Sequence, residues 1–268
     1  MQKTKNLIIL TTATNRGDLH KHVFLRYKRF LTDSSVRLKI FWVINIDRIP
    51  EFTTENSFVR RRIEKIFCNR PEIEFKWISR EDGNFYRAVR TLFRHALKKI
   101  HRDCEKCDGK GMVDNKPCRE GEIVNNISNW NILYLEDDWC YREKQFHIGH
   151  FLDIMDYVRE GSTRQELDYL ELRECPTPAF RYTYFSPSLW SVRHFHRVTT
   201  EFFKEKDRHR DPEQLCKPVL WGIRRGRFIP GVFSDIGRDW LESQGISKNN
   251  NKKKRGAKQN MYVLGVSK

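Results

Sequence analysis

No stretch of about eighteen apolar residues occurs anywhere in the chain, so no segment reads as a membrane-crossing helix. The opening residues Met1 to Lys5 lead into only a handful of apolar positions and lack a small-residue cleavage site. They read as the approach to a first strand rather than as a secretion signal. Seven cysteines, an odd number and unevenly spaced, do not make a disulfide framework. These absences point to a reducing, cytoplasmic setting. Acidic residues are scarce: 35 Asp and Glu stand against 51 Lys and Arg, a net charge of +16 over 268 residues. Such an excess implies an anionic partner, whether a nucleotide, a membrane surface, an acidic glycan or nucleic acid. Part of it lies in Lys248 to Arg255. That low-complexity run makes residues 246–268 read as a basic, flexible tail, solvated or docked on an anionic surface. The length suits one domain with one core, residues 1–245.

What is present is an alternation of strands and helices. Leu7 to Thr12 is a buried-strand pattern, and Thr14-Asn15-Arg16-Gly17-Asp18 is a turn. Leu19 to Leu31 carries Val23, Phe24, Tyr27, Phe30 and Leu31 at helical spacing. Val36 to Ile46 is a second buried strand, stopped by Asp47. A basic helix over Glu55 to Phe67, an alternating strand over Ile73 to Ile78 and an amphipathic helix over Phe85 to Ile100 follow. This order predicts an α/β fold with a largely parallel sheet flanked by helices. Neither common Gly-rich phosphate loop is present, which argues against a dinucleotide-binding or P-loop site.

The chain then reaches Asn129-Trp130-Asn131-Ile132-Leu133-Tyr134-Leu135-Glu136-Asp137-Asp138-Trp139. Ile132 to Leu135 reads as a strand buried on both faces. Three acids end it. Three adjacent carboxylates repel one another and stay solvated unless a cation sits among them. In open α/β sheets, ligands bind outside the carboxyl ends of the strands. The triplet is therefore either a polar loop or a divalent-metal site that holds the phosphates of a substrate.

An apolar strand ending in Glu-Asp-Asp-Trp resembles the Asp-X-Asp motif of GT-A-fold glycosyltransferases, with Glu136 in the first position. The resemblance covers Leu7 to Trp240, apart from a cysteine-containing insertion. The chain looks like the compact transferases encoded by bacteria and large DNA viruses. The resemblance implies a GT-A fold and transfer of a sugar, hexosyl or pentosyl, from a nucleotide-sugar donor, a UDP-sugar by preference, to a glycan or glycoconjugate hydroxyl. It further implies that Glu136 and Asp138, with Asp137, hold Mn²⁺ or Mg²⁺ on the donor diphosphate. Thr11, Thr12 and Arg16 at the end of the first strand, and Asp47 at the end of the second, would contact the nucleotide. Asn84, Arg87 and Arg90, early in the helix before the acidic strand, would face the donor. Strand-end packing and a solvated helix face account for the same residues in structural terms.

The insertion, Arg102 to Ser128, contains Cys104-X-X-Cys107 with Gly109 and Gly111, then Cys118. It resembles half of the zinc-binding repeat of the DnaJ chaperone cysteine-rich region. A structural Zn²⁺ there needs a fourth ligand, His101 or Cys140, because Gly121 stands where a second cysteine pair would be completed. Beyond the acids, Phe146 to Val158 reads as a helix bearing His147 and His150, taken as packing or surface histidines. Gly161 to Cys175 reads as a loop or short helix, and Ala179 to Trp190 as an aromatic-rich strand on the acceptor side. Asp211-Pro212-Glu213 is a helix start with Asp211 as cap. The resemblance makes Glu213, with Asp211 beside it, the candidate base for the acceptor hydroxyl. In Phe233 to Trp240, Asp235 is a candidate metal ligand and Arg238 a candidate phosphate contact; a turn leading into a helix explains the same residues.

Two further readings fit the composition. One is a glycosyltransferase acting on hydroxymethylated bases in DNA. The other is a non-catalytic basic nucleic-acid-binding protein with a zinc knuckle, under which the acidic triplet has no role. A two-metal nuclease or nucleotidyltransferase built on Glu136 to Asp138 would use the same acids differently.

Overall fold

The structure is a computed structural model that describes residues 4–32, 36–50, 52–102, 112–113, 116–117, 130–142, 145–160, 167–174, 185–205, 211–216, 223–243, 246–248 and 262–264. Its first half runs β1 (Thr4–Thr14), α1 (Leu19–Leu31), β2 (Arg37–Asp47), α2 (Asn56–Ile66), β3 (Ile73–Arg80) and α3 (Phe85–Arg102). The short strands β4 (Met112–Val113) and β5 (Lys116–Pro117) pair with each other. There follow β6 (Trp130–Glu136), β7 (Trp139–Tyr141), α4 (Ile148–Glu160), β8 (Tyr169–Glu171), β9 (Ser188–Ser191) and α5 (Val192–Lys204). The chain ends with α6 (Pro212–Cys216), β10 (Arg225–Arg227), β11 (Phe233–Asp235), α7 (Gly237–Ser243), β12 (Ile246–Lys248) and β13 (Tyr262–Leu264).

Seven strands form one sheet in the order β10-β8-β9-β6-β1-β2-β3. The four central and outer strands β6, β1, β2 and β3 are mutually parallel; β9 runs against both β6 and β8, and β10 is parallel to β8. The chain builds outward from β1 to β3, then returns to lay β6 on the other side of β1. Strand order therefore reverses between β1 and β6, and in open sheets of this kind the carboxyl ends of the strands at such a reversal are where a ligand crevice is expected.

Alternation along the strands divides the core. Leu7, Ile9, Ile40, Trp42, Ile44, Leu133 and Leu135 meet α1, α2 and α4 through Phe24, Phe30, Ile63 and Phe151. Ile8, Leu10, Phe41, Val43, Ile132 and Tyr134 meet α3 and α5 through Leu92, Phe93, Phe195 and Phe202. Both faces of β1, β2 and β6 are covered, which is why these strands read as near-continuous apolar runs.

The expected alternating α/β architecture is what forms. The Gly161 to Cys175 stretch differs from its loop-or-helix reading: β8 lies within it, a three-residue strand between β9 and β10. Three residues carry too little periodicity to distinguish a strand from a loop. Of the Ala179 to Trp190 strand, only Ser188 to Trp190 falls in β9, and residues 179–184 are outside the described part.

Candidate functional site at the strand-order reversal

The register of the parallel strands puts the acids where the crevice opens. Thr12 lies opposite Glu136, and Thr14 opposite Asp47. One residue past each strand end, the chain turns. The β1–α1 turn has Gly17 at φ +30, a conformation other residues enter only with strain. Asn15 clamps this turn to the segment after β2. Its Nδ2 donates to the carbonyls of Ile49 (3.2 Å), Phe52 (3.1 Å) and Thr54 (2.8 Å), and its Oδ1 accepts from the Ile49 N–H (2.7 Å). Arg16, next in sequence, is held between these anchors and is 3 % exposed.

The three acids take three different directions. Asp137 turns inward and is buried. Its Oδ2 accepts from the Thr14 N–H (2.8 Å), the Thr14 hydroxyl (3.0 Å) and His20 Nε2 (2.9 Å). Burial by itself would raise this carboxyl. The Arg16 charge, the His20 contact and the Thr14 N–H together outweigh burial and hold it at about 2. Asp138 points to Arg16, whose Nη1 donates to Oδ2 at 3.1 Å and lies 3.9 Å from Asp137 Oδ1. Glu136 is half-buried, and its Oε2 accepts from Trp139 Nε1 at 3.0 Å.

Two buried phenols bracket these carboxylates, one from each face of the sheet. Tyr27 donates to the Glu136 carbonyl; burial, then the charges of Asp138 and Asp137, push its phenol well up. Tyr134 shares a hydrogen bond with the Thr12 hydroxyl at 3.2 Å. Its phenol is also pushed up, by burial and then by the charges of Glu136, Glu213 and Asp138. Glu213 therefore lies within electrostatic reach of the same residue as the acidic strand end. Its helix α6 starts with Asp211 as expected, the Asp211 Oδ1 accepting from the Glu213 N–H at 3.0 Å.

The late segment also comes back to the acids. Strand β11 pairs antiparallel with β7, setting Asp235 opposite Trp139, and the Ile236 N–H donates to the Asp138 carbonyl at 2.9 Å. Exposed Asp235 accepts from the Gly237 N–H through Oδ1 at 2.9 Å. Gly237 lies directly on Asp138: a Cβ there would be 2.4 Å from the Asp138 Cβ and 2.7 Å from its Oδ2. Arg238 follows in α7, and its side chain is outside the described part.

The other nucleotide-side candidates have partners of their own. The Thr11 hydroxyl accepts from Trp42 Nε1 at 2.9 Å inside the core. Asp47 is buried at the end of β2 and accepts from Asn45 at 2.8 Å; burial raises it to about 7 despite that bond and the Arg80 charge. Asn84 caps α3, its Oδ1 accepting from the Arg87 N–H at 3.0 Å. Arg87 pairs with Asp82 at 2.5 Å. Arg90 donates to the Tyr86 hydroxyl at 2.8 Å and stacks over Phe203 at 5.1 Å. These three residues organise the start and flank of α3, the structural alternative noted for them above. Cys104, Cys107 and Cys118 lie outside the described residues. Cys140 is buried with its thiol towards the Tyr141 carbonyl, and His101 is half-buried in α3.

Sequence reasoning missed His20, Tyr27, Trp139 and Gly237 as parts of this site. Tyr27 counted only as an apolar helix position, and His20 carries no pattern. Trp139 stood beside the acids in the motif, so its ring N–H was the one available signal.

As arranged, one oxygen of each candidate metal ligand is already engaged by a hydrogen-bond donor. Hard cations take oxygen ligands at about 2.0–2.6 Å, and Mg²⁺ is commonly held by one or two carboxylates together with waters and substrate phosphates, so what matters is whether those carboxylate oxygens are already engaged. Here Asp137 Oδ2 is surrounded by three donors, Glu136 Oε2 by Trp139, Asp138 Oδ2 by Arg16, and Asp235 Oδ1 by Gly237. Among the described residues no three His, Cys, Asp or Glu side chains converge to hold a metal. A dication about 4 Å from a guanidinium would meet a repulsion of about 8 kcal/mol at an effective dielectric near 20, about what one carboxylate at the same distance would return.

No family model matches this sequence, and no curated protein matches it. Solved structures do resemble its fold. Residues 1–349 of Staphylococcus aureus TarS superpose with a TM-score of 0.50 at 7 % identity, over 89 % of this chain and 62 % of that one. The arrangement is GT-A-like: a mostly parallel seven-stranded sheet flanked by helices. Weaker similarities, each with a TM-score of 0.41, link the chain to two other structures. One is 4-diphosphocytidyl-2C-methyl-D-erythritol synthase of Anaerococcus prevotii, at 8 % identity over 98 % of this chain and 92 % of that one. The other is the WbbM bifunctional glycosyltransferase, at 9 % identity over 84 % and 39 %. This chain thus spans less than two thirds of the TarS structure it resembles. No helix of the described residues is long and apolar enough to cross a membrane.

Proposed function

We propose that this chain is a glycosyltransferase that moves a sugar from a nucleotide-sugar donor to a hydroxyl of a glycan or glycoconjugate. One observation carries the reading. The acidic end of β6, the Arg16 turn after β1 and the β11–α7 junction all meet at the strand-order reversal of a GT-A-like sheet. A crevice of that kind is where a nucleotide is expected to bind. The TarS likeness adds the fold and no more.

In this reading the nucleotide lies along the ends of β1 and β2, with Asp47 and Thr12 on its side of the crevice. Its diphosphate faces the Arg16 guanidinium, which supplies charge-assisted donors where negative charge builds on the leaving group. Glu136 and Asp138 flank the sugar side and orient Arg16 and Trp139. The acceptor oxygen attacks the anomeric carbon as the bond from that carbon to the diphosphate oxygen breaks. The electron pair leaves with the nucleoside diphosphate, and the acceptor proton passes to Glu213 in an inverting reaction. The net positive charge assists capture of the anionic donor.

A nucleotide-release assay with UDP-, GDP- and dTDP-sugars, on wild type and Asp138→Ala, tests the proposal. Release from one donor, reduced about 10²-fold or more in the variant, is the expected result. Absence of both donor binding and release across the panel would end this reading.

A further inference from the structure

The acids at the end of β6 raise a question of charge balance. Asp137 is buried and Asp138 largely so, and adjacent buried carboxylates need a cation. The fold already contains one. Arg16 is 3 % exposed, donates to Asp138 at 3.1 Å and lies 3.9 Å from Asp137. It is not a surface side chain that happened to fall inward. Its backbone is fixed by the Asn15 clamp on one side and by the Leu19 N–H donating to the Arg16 carbonyl (3.1 Å) on the other. Thr14 and His20 hold Asp137 from below, so this carboxylate cannot turn without breaking three hydrogen bonds, and Asp138 beside it is bonded by Arg16 itself. Gly237 then closes the space over Asp138.

We propose that Arg16 is the resident cation of this site: its guanidinium takes the position that a divalent ion would occupy between Asp137 and Asp138, excludes such an ion, and is the group that faces the donor diphosphate. The exclusion rests on the geometry alone. The diphosphate contact rests on the glycosyltransferase reading. A planar, permanently charged fork suits both a carboxylate and a phosphate, so one side chain can bridge the two. Donor binding and nucleotide release are then independent of added metal.

Binding of Mn²⁺, read from the loss of the free-ion EPR signal, tests the exclusion without any substrate. Wild type is expected to hold no stoichiometric Mn²⁺ that depends on Asp138. Arg16→Gln, which uncovers the acid pair, is expected to bind about one Mn²⁺ at least tenfold more tightly than wild type, and Arg16→Gln/Asp138→Asn to lose it. Arg16→Lys keeps the charge and is expected to exclude Mn²⁺ as wild type does. A stoichiometric Mn²⁺ site in wild type that disappears in Asp138→Asn overturns the proposal, and this comparison holds even if Arg16→Gln fails to fold. With an active donor identified, release is expected to be unchanged in EDTA, and strict dependence on added Mn²⁺ or Mg²⁺ overturns the diphosphate role. If no donor is turned over, the glycosyltransferase reading falls while the Mn²⁺ titration still judges Arg16.

Discussion

Two regions of this molecule bury acids beside arginines, and they do so under opposite circumstances. In the first, Glu171 on β8 is 2 % exposed and is bonded by Arg173, two residues further along the chain, and by Arg227 Nε on β10, the latter at 2.8 Å. Nearby Asp168 accepts from Arg193 and Ser191, both at 3.4 Å, and from the Arg224 N–H at 3.2 Å. The strands tied together are three or four residues long. So short a ladder supplies few backbone bonds, and the side-chain pairs supply the rest. In the second, Asp137, Asp138 and Arg16 end strands of seven and eleven residues whose ladder is already extensive. The backbone ladder already holds β1 to β6, and the Asp137 carboxylate adds to it only the two bonds from Thr14. Charge that the fold needs lies where the sheet is weakest, and charge that it does not need lies at the crevice. That contrast is the physical reason to read the second region as a site and the first as a fastening.

The contrast is open to experiment, in order of expected change in stability. Glu171→Ala takes the shared carboxylate from two largely buried guanidiniums and is expected to cost about 3–5 kcal/mol in urea unfolding. Nucleotide release per folded molecule should be unchanged; a stability loss under about 1 kcal/mol would remove the distinction between fastening and site. Asp47 gives a smaller, pH-dependent effect. Its carboxyl is raised from 3.8 to about 7 by burial, so the folded state holds a proton that the unfolded chain has released. Stability contributed by this group is therefore full below about pH 4 and declines as pH rises to about 7. Asp47→Asn is expected to flatten that decline, with a gain above pH 7 of at most about 4 kcal/mol, seen as unfolding midpoints of variant and wild type that move apart from pH 4 to pH 8. Glu213→Gln, on the half-exposed edge of the crevice, should alter stability by no more than about 0.5 kcal/mol. Acceptor-dependent transfer should drop about 10²- to 10⁴-fold with donor affinity retained. Equal loss of donor binding would relocate Glu213 from the acceptor to the nucleotide side.

Much of this fold was legible in the sequence because its central strands are buried on both faces. Leu7 to Leu10, Ile40 to Ile44 and Ile132 to Leu135 announce themselves as continuous apolar runs, and α1 and α3 as helices of clear periodicity. The antiparallel half was legible only in part. The aromatic-rich strand reading over Ala179 to Trp190 takes in most of β9, whereas β8 is three residues long and leaves no period to read. At the site, the acids were visible because three in a row after an apolar run are conspicuous. Their division of labour was not visible. Which acid turns inward depends on Thr14 and His20, more than a hundred residues away in sequence, and which one meets Arg16 depends on how the turn after β1 is clamped. The expectation of a metal came from three adjacent carboxylates and the motif they resemble, neither of which takes account of the arginine that the turn after β1 brings to Asp138.

Gly237 has a consequence of a different kind. It contributes no functional group, yet the space beside Asp138 admits only a hydrogen atom at that position. Over evolutionary time such a position behaves like a catalytic residue: diverging copies of the chain would retain it together with the acids, and an alignment would mark it as invariant. The cause would be the shape of its neighbour, and a reader seeking chemistry in every unchanging column would look for a role in a residue that has no side chain.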